Sequence, residues 1–292
     1  METQHDDKRT TQYKENSLTL LGAVSMGTGV MIGAGILALT GQIAELAGSL
    51  FPLAFFAAAI VTAFSAYSYV KMSNAYPSAG GIGMFLQKAY GRGTVTAGGA
   101  LLMYFSMVIN ESLVARTFGT YTMQLFDAEP VGWAVTALGV GVLIFAFLIN
   151  VSGNRLIGGF SLLMAFLKIG GIIVFATGGL WIADISFDSI IPKLSSDTTI
   201  TGFLAAMALA ILAFKGFTTI TNSGSEIVDP HKNVGRAIII SILVCFVIYM
   251  LVALAVAANL TLDEIISAKD FALAKAARPA FGNYGLWFTV GL

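Results

Sequence analysis

Four ionisable side chains fall inside long apolar runs of this 292-residue chain: Glu111, Arg116, Lys168 and Lys215. A lysine or arginine at the centre of a membrane helix costs about 2.5–3.5 kcal/mol on insertion scales, so each is a candidate for function or for pairing. Two glycine-bearing stretches lie at similar depth. The first is Gly27-Thr28-Gly29-Val30-Met31-Ile32-Gly33-Ala34-Gly35-Ile36, and the second is Ala213-Phe214-Lys215-Gly216-Phe217-Thr218-Thr219. Each glycine weakens a helix by about 1 kcal/mol relative to alanine. A helix broken at membrane depth exposes N–H and C=O groups that lipid cannot satisfy. Where protein or water covers such a break, its free amides and carbonyls can hold a charged solute. Close helix packing is the other reading, since Gly29-x-x-x-Gly33 has that spacing; the Gly33-Ala34-Gly35 triplet favours a break. The triplet is no phosphate loop, because neither Gly-Lys-Ser/Thr after it nor a strand before it is present.

The charged candidates divide by chemistry. Lys168, in Leu167-Lys168-Ile169-Gly170, is a buried amine and so a candidate proton carrier; the alternative is a permanently charged counter-ion. Glu111 and Arg116 stand about 140° apart around a helix and face different neighbours. Glu111 could pair with Lys168 or Lys215, with Asn110 in the same polar patch, whereas Arg116 reads as a structural ion pair. Glu226, Asp229 and Lys232 read as a solvated, helix-capping loop. His5 and His231 make no metal constellation, and the single cysteine, Cys245, excludes an intramolecular disulfide. With no Ser/His/Asp or Cys/His set, neither an enzyme nor a cofactor or metal is expected.

These residues need a membrane scaffold. The chain is 57% hydrophobic and only 11% charged, with a mean hydropathy of +0.82, against about 25% charge in soluble domains. A net charge of zero gives no case for nucleic acid as a partner. Residues 1–17 read as a polar cytoplasmic tail with no cleavable signal peptide. Apolar runs then predict spans over roughly 18–46, 51–69, 95–125, 131–149, 156–182, 200–220 and 237–258. Residues 71–93 read as a polar loop, 261–278 as a polar and partly helical loop, and 281–292 as the start of an eighth span in a truncated sequence. All six prolines fall at span ends or in loops, so glycine is what breaks the helices. With the N-terminus inside, inner segments hold nine basic residues (Lys8, Arg9, Lys14, Lys71, Lys88, Arg92, Arg155, Lys232, Arg236). Outer loops hold four (Lys193, Lys269, Lys275, Arg278), which supports that orientation. The breaks in the first and sixth spans lie five spans apart, as in a five-plus-five inverted repeat. A first repeat would cover 18–182 and a partial second 183–292.

Four motifs, in order, resemble the amino acid–polyamine–organocation superfamily. The Gly27 to Ile36 stretch resembles its first-helix signature. Tyr69 to Gly91, with Pro77-Ser78-Ala79-Gly80-Gly81, resembles its loop after the second span. Phe214-Lys215-Gly216-Phe217 resembles its sixth-span break, and Ser225 to Ile238 its sixth-to-seventh loop. The resemblance implies an all-α polytopic membrane protein of the LeuT type, with discontinuous first and sixth helices. It also implies an amino acid permease working by alternating access, proton-coupled or exchange-type. Carried over, the substrate carboxylate would meet amides of Met31, Gly33, Ala34 and Gly35, with Ile32 in the same turn. The amine would meet carbonyls of Met31, Leu212 and Lys215, with Ala213 in that break and Phe214 lining the pocket. Lys168 would stand where sodium binds in some relatives and, with Glu111, serve proton coupling. Departures are Ala34 for a serine, Thr218 for a glutamate, Gly83 for an aromatic, and a cation at Lys215, which disfavours cationic substrates if it faces the pocket. Other cargo on the same fold (a polyamine, nucleobase or other amine) and a non-transporting amino-acid sensor in the membrane are the alternatives.

Overall fold

The computed structural model describes residues 16–126, 128–129, 131–151, 154–182 and 199–268, with single positions 272, 275, 276 and 282 beyond them. The described residues form helices α1 (Leu20–Met31), α2 (Ala34–Leu37), α3 (Thr40–Ala47), α4 (Phe51–Ala75), α5 (Gly81–Tyr90) and α6 (Thr94–Leu125). They continue with α7 (Gly132–Val151), α8 (Asn154–Ile182), α9 (Ile200–Phe214), α10 (Phe217–Asn222), α11 (Pro230–Asn259) and α12 (Leu262–Ala268). Six stretches are long and apolar enough to cross a bilayer, and α1 is a shorter apolar helix. The protein is an all-α polytopic membrane protein whose first and sixth spans are discontinuous. The predicted eighth span and the outer loop with Asp184, Asp188, Lys193 and Asp197 lie outside the described residues.

Both broken spans begin alike. The Thr19 hydroxyl accepts from the Gly22 amide at 3.1 Å, and the Thr199 hydroxyl accepts from the Gly202 amide at 3.0 Å. Each cap satisfies one of the first-turn amides that has no carbonyl behind it. Pro52 and Pro230 stand in the first turns of α4 and α11, where a missing N–H costs nothing.

Some expectations change. The predicted first span is interrupted twice, at Ile32-Gly33 and again at Ala38-Leu39, so residues 18–46 are three short helices. The stretch read as a polar loop, 71–93, contains α5. Its Phe85 is buried and its ring meets Tyr69 of α4 edge-on, with centroids 6.2 Å apart; the helix packs mainly against α6 and α10, which cover its apolar face. Helix α11 begins at Pro230, seven residues before the predicted start at Ala237, because a proline is pre-set for the first turn of a helix and the polar residues after it continue the turn.

Helices α1, α4, α9 with α10, and α11 pack around one core. Tyr249, Phe51, Phe55, Phe214, Met31 and Ile36 are among its largest fully buried side chains. Helix α8 lies against α1 and α11, while α6 pairs with α7. At one end the loops are laced together. Leu18 and Ile227 form an isolated parallel bridge, through Leu18 N–H to Glu226 O and Val228 N–H to Leu18 O, both 2.9 Å.

Candidate functional site

The first break is a tight turn. Ile32 leaves the helical region at φ −82°, ψ +79°, and the Gly33 amide donates back to Met31 O at 3.1 Å. That is the inverse γ-turn geometry, closed between residues two apart. Ala34 and Gly35 then open α2, and the first amides of a helical segment have no partner within it. The second break is narrower. Lys215 and Gly216 keep helical dihedrals, but the bonding tightens: Lys215 N–H to Leu212 O at 3.2 Å, Thr218 N–H to Lys215 O at 3.0 Å and Thr219 N–H to Gly216 O at 3.1 Å. These are three-residue bonds, as in a 3₁₀ turn, inserted into an α-helix.

Glycine lets the two breaks touch. A β-carbon on Gly35 would lie 2.9 Å from Ala213 Cα, and one on Gly216 would lie 2.8 Å from the Met31 nitrogen. Backbone cannot yield at those distances, so each break keeps a glycine against the other.

A cavity of about 250 Å³ opens at this junction. Gly35 lines it from the first break, and Leu212, Ala213, Lys215 and Gly216 from the second. Helix α6 adds Met107, Asn110 and Glu111, which share a face at helical spacing, and Thr218 and Thr219 supply hydroxyls. Its size lies below the roughly 300–1,000 Å³ of drug-sized sites and suits a small metabolite.

The sequence-derived residues separate around this cavity. Gly35, Leu212, Ala213, Lys215 and Glu111 line it. Met31, Ile32, Gly33 and the backbone of Ala34 form the turn beside it. Phe214, expected in the lining, is fully buried instead: its ring meets Tyr249 at a tilt of 59° with centroids 4.8 Å apart, on the side of the break that faces the core. Lys215 lines the cavity, and its ammonium donates to Ser106 Oγ of α6. Glu111 makes no ion pair with Lys215 or Lys168 among the described residues; the lysine is held by the hydroxyl one turn away. Lys168 comes to the first break from α8, its Nζ 3.9 Å from the place of a β-carbon on Gly33. Arg116 belongs to a separate, larger cavity of about 520 Å³ between α6 and α7, with Ser112, Thr120 and Thr136. Two participants escaped the sequence reading, Ser106 and Tyr249. Neither belongs to a glycine-rich stretch or carries a charge, so nothing in their local pattern marks them.

The sequence model of the family described as amino acid permease matches residues 18–292. The chain belongs to the amino acid permease family. The match agrees with the four motifs and their resemblance to the wider superfamily. The permease-family chain is 36% identical to an uncharacterised protein of Methanocaldococcus jannaschii, over 94% of this chain and 62% of that protein. It is 29% identical to the inner membrane transport protein YbaT of Escherichia coli, over 92% of this chain and 62% of the relative. It is 26% identical to the serine/threonine exchanger SteT of Bacillus subtilis, over 93% of this chain and 61% of the exchanger. The chain thus spans about three fifths of the length of the relatives it matches.

Proposed function

We propose that the protein is part of a secondary transporter that moves amino acids across the cytoplasmic membrane by alternating access, with its N-terminus inside. The observation that carries this reading is the meeting of two interrupted helices at one small cavity. The amides of Ala34 and Gly35 open a helical segment and attract a carboxylate, while carbonyls that end α1 and α9 attract an ammonium. Both ends of a zwitterion are met by backbone dipoles, which every amino acid can use alike. The α6 face with Asn110 and Glu111, and Lys215 opposite, then meets the variable side chain. In this reading residues 18–182 are one repeat and 183–292 belong to a second.

Coupling falls to Lys168. Its ammonium stands beside the first break, where it would gain or lose a proton as access alternates, with Glu111 as a second titratable group at the cavity. The test is uptake of a mixed pool of labelled amino acids by the full-length protein in liposomes, with and without an inward proton gradient. Gradient-driven uptake that Lys168→Ala abolishes is the expected result. Uptake only into preloaded liposomes would make the protein an exchanger and remove the coupling role of Lys168. No uptake by a folded protein would favour another cargo or a sensing role.

A further inference from the structure

Tyr249 links the two breaks from behind. It lies within α11 and is fully buried. Its ring is wedged between Phe55 of α4 and Phe214 of α9, at centroid distances of 5.8 and 4.8 Å. Its hydroxyl donates to the carbonyl of Met31, the last residue of α1, and to that of Ala213 at 3.0 Å, one residue before α9 ends. A phenol has one hydrogen, so the two carbonyls share it. A β-carbon on Gly35 would come within 2.9 Å of the same hydroxyl oxygen. The seam between the first and sixth spans is therefore covered by Tyr249 on the core side and opens to the 250 Å³ cavity on the other.

We infer that Tyr249 is a positioning residue of the ligand site. It ties the Met31 and Ala213 carbonyls across the seam and so sets the spacing of the backbone groups that a ligand's ammonium and carboxylate meet. This rests on the amino acid reading given above for the site's occupant. The chemistry requires a donor there. Two helix ends bring two carbonyls together in a buried place, and an unpartnered buried carbonyl loses its hydrogen bond to water without replacement. Phenylalanine would fill the same space and remove that donor from both carbonyls, leaving Met31 O with the Gly33 amide alone.

The experiment compares the full-length wild type with Tyr249→Phe and with Phe55→Leu, which loosens the same aromatic contact and keeps the hydroxyl. Amino acid uptake gives KM and maximal rate, and amide hydrogen exchange gives local opening. Tyr249→Phe should raise KM on the order of tenfold, as expected for one lost buried hydrogen bond, with the maximal rate little changed. It should also quicken exchange at residues 31–36 and 212–219 selectively. Phe55→Leu should lower Tm without that change in KM. Should Tyr249→Phe fail to accumulate, 3-fluorotyrosine placed at position 249 poses the same question, since it keeps the shape of the ring and changes only the donor strength of the hydroxyl, and should shift KM. An unchanged KM in the variant that accumulates, or exchange that quickens evenly along α4 and α11, would overturn the inference. If the wild type takes up no amino acid, the transport reading falls, while the exchange comparison still decides whether Tyr249 joins the breaks.

Discussion

At the scale of single residues, the site is unusual in the charge it holds near backbone dipoles. If backbone dipoles meet both ends of a zwitterion, as proposed, Glu111 and the Ser106-bonded Lys215 are left to act on the side chain of the ligand. Like charges 4 Å apart cost about 4 kcal/mol at an effective dielectric of 20. Glu111 on the facing helix offsets part of this, and the tether to Ser106 draws the ammonium toward α6. Replacing Lys215 with Gln should raise uptake of cationic amino acids relative to neutral ones, on the order of tenfold given that Coulomb scale. Competition between labelled alanine and unlabelled lysine or arginine measures it. An unaltered ratio would mean that the lysine serves only to join the second break to α6 through Ser106.

At the scale of elements, the interruptions differ in kind. The first is a γ-turn with a residue outside helical space, and the second is a tightening of one turn. Short pieces such as α2 and α10 are too brief to hold as isolated helices; their neighbours hold them. The bridge between Leu18 and Ile227 is one such support. It anchors the start of α1 to the loop that follows α10, so both broken spans end at one clasp. Beside it the His231 Nδ1–H donates to Asn74 O at 2.7 Å, and the Gly235 amide donates to Asn74 Oδ1 at 3.0 Å, tying α4 to α11. Replacing Val228 with Pro removes the amide that donates to Leu18 O, a loss of about 1 kcal/mol. Amide exchange at Leu18 and at residues 20–23 should then quicken severalfold while α11 stays protected. Unchanged exchange would show that the clasp is not held by that bond.

At the scale of the molecule, α1, α4, α9 with α10, and α11 form one packed group, and the paired α6 and α7 stand beside it. The cavity lies between the two, which is where relative movement would expose it first to one side and then to the other. The orientation proposed from basic residues has a direct check, helped by the burial of the only cysteine, Cys245. In right-side-out vesicles a membrane-impermeant thiol reagent should label Thr261→Cys, at the outer end of α11, and spare Lys232→Cys at its inner end. The reverse pattern would invert the topology and move the laced end of the bundle outside.

What the sequence determined by itself is what depends on local composition. Apolar runs of sufficient length specify spans, and prolines mark their ends. Glycine with too few side chains around it marks Gly33 and Gly216 as places where a helix fails. That is why the break residues and the charged candidates were legible, and with them the family. Tertiary structure decided which of those groups meet. Phe214 turned to the core because Tyr249 offered an aromatic face there. Lys215 went to Ser106 rather than Glu111, since a half-buried ammonium takes the acceptor within its reach. Lys168 reached the first break from a helix more than a hundred residues further along the chain. Helix α5 formed where the composition read as loop, because α6 and α10 gave its few apolar residues a surface. Each of these depends on a partner remote in sequence, and no local pattern encodes the distance between two helices once they pack.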